Sequence, residues 1–196
     1  MLNIDMQSFQ EYCSVLESLE TSYPWQMSQR RDADVYEAVF HVPIGPGVPK
    51  PLRYTVSFAR HNEENIPGTD EPWWEFTFAA HGEDSGYSNS KNDANWSQDI
   101  THTGHAFTIF ATVIAIMKAF IAKQQPAIIN FSAYEPSRQR LYDRFIKNVS
   151  SAISGYRGVK ITTAMARANG YGPNGPEWLT PNDYLIVNRK ISLKMV

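Results

Sequence analysis

The chain has 196 residues, 42% hydrophobic and 13% aromatic, which supplies one well-filled core and leaves little length for two. A single domain over 1–196 is therefore expected. With only 19% charged residues, the composition excludes a disordered chain. Cys13 is the single cysteine, which excludes an intramolecular disulfide and a multi-cysteine metal site and favours a reducing compartment. Met1 to Asp5 carry no basic segment ahead of an apolar run, and the most apolar stretch, 106–122, includes Lys118 and is short for a bilayer. The expectation is a cytoplasmic protein without a membrane segment.

The net charge of −2 hides an asymmetry. Residues 1–117 hold 6 Lys and Arg against 16 Asp and Glu, and residues 118–196 hold 12 against 4, so the balances are −10 and +8. A basic C-terminal part can attract phosphate or an acidic partner, and it can equally neutralise the acidic part within one fold.

In chain order, Met6, Phe9, Cys13 and Leu16 recur at helical spacing and predict a helix over about 6–19. The period then becomes two. Ala38, Phe40 and Val42, then Tyr54, Val56 and Phe58, then Trp74, Phe76, Phe78 and Ala80 alternate with more polar neighbours and predict an antiparallel meander. Residues 81–95 are polar and turn-rich and read as a surface loop, and 96–101 read as a short strand. From Gly104 the helical period returns with little polar face, which predicts a buried helix ended by Pro126. The apolar run 127–132 reads as a central strand, and Pro136 suits the first turn of a further helix. Two final strands are expected at about 159–166 and 184–193, around a loop at 167–182 that contains Tyr171 and Trp178. That loop suits an acceptor-site lid, a protein-contact surface or a packed Ω-loop.

The stretch Thr101, His102, Thr103, Gly104, His105, Ala106 at a helix start places small residues where free backbone N–H groups and the helix dipole favour an anion such as pyrophosphate. The same dipole opposes a cation between His102 and His105, and no metal is expected. Arg138, Arg140, Arg144 and Lys147 have three readings: a solvated helix face, cofactor-phosphate contacts, or part of a surface for nucleic acid or an acidic partner. A pI of about 6.2 argues against a dedicated nucleic-acid binder.

Gly104-His105-Ala106 before a helix, a following strand, and a helix carrying Leu141-Tyr142 resemble, in order and spacing, the GNAT-type N-acetyltransferases. The resemblance is close over about 99–147. It implies an α+β, GNAT-like three-layer fold: a mixed, mostly antiparallel central sheet with helices on both faces. It further implies acetyl-CoA as cofactor, held at Thr101 to Ala106 and by Arg138, and N-acetylation of a host protein or small amine. Tyr142 would be the general acid for the departing thiolate, with Glu75, His81, Glu135 or water as the base. Thr101 stands where that family usually has Arg or Gln, and Glu135 and Arg138 stand at its Asn and Ala positions. From Thr103 to Phe145 the chain is also similar to uncharacterised tailed-phage and viral proteins with a Thr-Gly-x-Ala-Phe…Phe-x-Thr-Val…Phe-Ser-Ala-x-Glu-Pro-Ser-Arg…Leu-Tyr-Asp-Arg-Phe pattern. That similarity implies an accessory protein of an infected cell. It also allows a non-catalytic member that binds a host factor or a virion component.

Overall fold

The computed structural model describes residues 22–30, 34–43, 51–61, 71–81, 106–134, 136–168 and 180–192. The helix expected at 6–19, the strand expected at 96–101 and most of the two long loops lie outside these residues. The described elements, in order, are β1 (Trp25–Gln29), β2 (Val35–Val42), β3 (Leu52–His61), β4 (Trp73–His81), α1 (Ala106–Gln124), β5 (Ile128–Ser132), α2 (Pro136–Ala152), β6 (Tyr156–Lys160), α3 (Thr163–Ala168) and β7 (Asp183–Asn188). The strands form one seven-stranded, mostly antiparallel open sheet in the order β1-β2-β3-β4-β5-β7-β6, so the class is mixed α+β. Among the described residues, no helix is long and apolar enough to cross a membrane.

The chain divides into two compact units. The first comprises 1–29, 36–56 and 78–123. There the two-residue period of β2, β3 and β4 puts Phe40, Tyr54 and Phe78 on one face. Their rings stack, Phe40 on Tyr54 at 5.2 Å and Tyr54 on Phe78 at 5.3 Å between centroids. Phe120 of α1 meets Tyr36 edge-on at 5.7 Å. Helix α1 is buried around most of its circumference, as its near-continuous apolar sequence predicts. Its one fully buried hydroxyl, Thr112, donates to the Thr108 carbonyl at 2.7 Å and accepts from the Tyr23 N–H at 2.9 Å, so no polar group is stranded there. Gln125 takes a left-handed φ of 47° and Pro126 follows, which together end the helix.

The second unit comprises 30–35, 57–77 and 124–196. Its centre is β5, paired parallel with β4 on one edge and antiparallel with β7 on the other. Alternation sends Phe131 to one face, where it packs on Phe145 of α2, and Ile128 to the other. There Ile128 joins Trp73, Ile161, Leu185, Val187 and Ala166 of α3 in a buried cluster. Burial on both faces accounts for an apolar run with no helical period at 127–132.

The strand expected at 159–166 is a correction: β6 spans Tyr156–Lys160 and Thr163–Ala168 is helical. Gly155, at φ 81°, turns the chain out of α2 early enough for Tyr156 to start the strand. Thr162 then caps α3, its Oγ1 accepting from the Met165 N–H at 3.1 Å. The last strand also stops short of 193, because the Asn188 side chain and carbonyl take up the N–H groups of Lys190 and Ile191 in a turn.

Helix α2 lies close on β6. A Cβ built on Gly158 would stand 2.3 Å from the Ile146 carbonyl oxygen and 2.8 Å from its Cγ2. Gly158→Ala should therefore cost about 1–3 kcal/mol by forcing the helix off the strand. Urea denaturation checks this; an unchanged midpoint would contradict the close approach.

Candidate active site

The parallel ladder of β4 and β5 has three residue pairs, Trp73↔Ile128, Trp74↔Ile129 and Glu75↔Asn130. Both strands run on beyond it, β4 to His81 and β5 to Ser132. Just past the ladder, Phe76 and Phe131 meet edge-on at 5.7 Å on the face that α2 covers. The carboxyl ends of parallel strands are the usual place for a ligand in such sheets.

Chemistry-bearing groups flank this point on both faces of the second unit. On the α2 face, Tyr142 packs edge-on against Phe131 at 5.0 Å and against Tyr184 at 5.7 Å. The Tyr184 hydroxyl donates to Asp143 Oδ1 at 2.9 Å, and the Lys160 ammonium donates to the same oxygen at 2.6 Å. Gln139 ties the start of α2 to the end of β5, donating to the Ala133 carbonyl at 3.0 Å and to Asn182 Oδ1 at 3.1 Å. On the opposite face, strand alternation places Glu75 beside Asn130. The Glu75 carboxylate, 49% exposed, lies 3.4 Å from His61 Nε2, an ion pair when the imidazole is protonated. The His61 ring stacks on Trp73 with centroids 4.0 Å apart and planes within 5°. Ser132 on this face donates to the buried Asp183, which also accepts the Thr180 N–H.

Among the residues singled out from sequence, Tyr142 and Glu75 thus fall on opposite faces of the sheet in one unit. Ala106 is the first residue of α1 and Arg138 lies in the first turn of α2. Thr101, His102, Thr103, Gly104, His105 and Glu135 lie outside the described residues, and His81 ends β4. Sequence reasoning missed the Asp143–Tyr184–Lys160 cluster, His61 as the partner of Glu75, and Asn130. Asn130 had one available signal, a lone carboxamide inside an apolar strand.

The chain is thus a mixed α+β protein with a short parallel ladder inside a mostly antiparallel sheet. It belongs to DUF6934, a family of unknown function, whose model matches residues 50–169. No curated protein matches it.

The α2-face cluster has a pH signature. Partial burial pulls the Asp143 carboxyl upward, but the bonds from Lys160 and Tyr184, with the charges of Lys160 and Lys147, hold it below the ordinary carboxylate range. The Tyr184 phenol is pushed well above its ordinary value by burial, and further by its bond to Asp143 and the charges of Asp143 and Tyr142. A depressed folded-state value means that ionised Asp143 contributes stability above its unfolded value and loses it as pH falls through the folded one. Thermal melts should therefore show wild type more stable than Asp143→Asn by a constant margin above about pH 5, narrowing below about pH 4. A margin independent of pH would remove the charge of Asp143 from the account.

Proposed function

We propose that the chain is a GNAT-like, acetyl-CoA-dependent N-acetyltransferase of phage or viral type, acting on a host protein or small amine. The observation that carries this reading is the three-pair parallel ladder of β4 and β5, with a phenol on one face of its end and a carboxylate on the other. An acyl arm brought to the carboxyl end of this ladder would lie near the strands that carry both groups. The strand order and the position of α2 after β5 also suit a GNAT-like arrangement.

Acetyl-CoA supplies an activated acyl thioester. The resemblance gives its pyrophosphate to the turn Thr101 to Ala106, with Arg138 as a further contact. Glu75 would take the proton that the attacking amine loses as its nitrogen bonds to the acyl carbon. Tyr142 would return a proton to the sulfur as the carbon–sulfur bond breaks. Glu135 stays a second candidate base from the sequence. The pair His61–Glu75 supports Glu75, because an imidazole beside the carboxylate offers a route for the abstracted proton towards solvent.

A non-catalytic reading, in which the scaffold binds a host factor or virion component, draws on Tyr134, which is 72% exposed at the end of β5. Calorimetry with acetyl-CoA separates the two. Catalysis requires saturable binding that Gly104→Trp abolishes; no binding at millimolar acetyl-CoA would leave the binding module. Tyr142→Phe should then lower turnover about 100-fold or more while acetyl-CoA affinity stays unchanged. Unaltered turnover in that variant would take the acid role away from Tyr142.

A further inference from the structure

We infer that Asn130 determines acceptor specificity, its carboxamide oxygen and the Glu75 carboxylate together receiving the ammonium group of a primary amine. The use of that amine rests on the acyltransferase reading; its binding does not.

Asn130 is 6% exposed, and its Oδ1 has no hydrogen-bond partner among the described residues. Leaving such an oxygen unpaired is unfavourable, so its place inside an otherwise apolar strand calls for a use. Its surroundings define the missing partner. Alternation puts it on the face of Glu75, its neighbour in the ladder, and of Leu185, its neighbour on β7. One row along, on the same face, are Trp73 and Ile128, both buried and apolar. The hydroxyl two residues further along β5, Ser132, is committed to Asp183. The partner must therefore donate a hydrogen bond to that oxygen, and beside the Glu75 carboxylate, which a neutral His61 ring leaves charged, a positive one is favoured. An anion does not suit the carboxamide oxygen and the Glu75 carboxylate, which both accept. A buried water normally needs two to four polar partners, whereas an ammonium carries only donors and suits a pair of acceptors beside an apolar floor. Two acceptors require two N–H groups directed at the protein. An N-methyl group would take the place of one donor, so primary amines should be preferred over secondary ones.

The test is an NMR titration of the protein with propylamine, N-methylpropylamine and 1-propanol, in wild type, Asn130→Leu and Glu75→Gln. Propylamine should bind saturably, N-methylpropylamine several-fold more weakly, and 1-propanol without saturation. Affinity for propylamine should fall about tenfold or more in either variant, consistent with loss of one charge-assisted hydrogen bond. Asn130→Leu should melt at or above the wild-type temperature, because it replaces an unpaired polar group by an apolar one of similar shape. Undiminished propylamine affinity in Asn130→Leu, or a lower melting temperature for it, would show that the carboxamide is structural and overturn the inference. Glu75→Gln changes an exposed side chain and keeps the test decisive if the Leu variant does not fold; unchanged affinity there overturns it too. Amine binding without acetyl-CoA binding would sink only the acyltransferase reading. Acetyl-CoA binding without amine discrimination would sink only this inference.

Discussion

The second unit depends on the double burial of β5. Its first four residues are buried, with β7 along one edge and β4 along part of the other, so their backbone N–H and C=O groups must find partners within the sheet or at its end. β7 meets that need along the whole length of β5, from Ile128 to Ser132. β4 meets it only to Asn130. The pairing of β5 is therefore asymmetric, continuous towards β7 and shorter towards β4.

The same strand separates two chemistries. Odd-numbered residues Ile129 and Phe131 face α2, where aromatic rings surround Tyr142 and the Asp143–Lys160 pair holds the Tyr184 hydroxyl. Even-numbered residues Ile128, Asn130 and Ser132 face the other way, towards α3 at one end and the Glu75–His61 pair at the other. Tyr142 and Glu75 are kept apart because the sheet lies between them. Direct contact would make them a hydrogen-bonded pair, as Tyr184 and Asp143 are.

Asn130 and Asp183 differ in how their polar groups are satisfied. Both are buried polar residues of one unit. Asp183 is saturated by Ser132 and Thr180 and fixes the start of β7, whereas the Asn130 oxygen receives nothing from the described residues. The neighbours of Asn130 along the sheet, Ile128 on β5 and Leu185 on β7, belong to an apolar cluster.

The elements with strong period were legible in the sequence. The alternation at 35–42, 52–61 and 73–81, the continuous apolar face of 106–124, and Pro126 and Pro136 as stop and start signals are local properties of side chains and backbone. The helix at 163–168 was not legible, because Thr163 to Ala168 lacks an apolar stripe and is held by the Thr162 cap and one buried alanine. Glu75 and Tyr142 could be named as reactive residue types, but not assigned to opposite faces, since that follows from the parallel register of strands more than fifty positions apart. The partnership of His61 with Glu75 and the isolation of Asn130 are likewise outcomes of tertiary packing. Side-chain period specifies which face of an element is apolar; only strand pairing decides which polar groups meet and which are left without a partner.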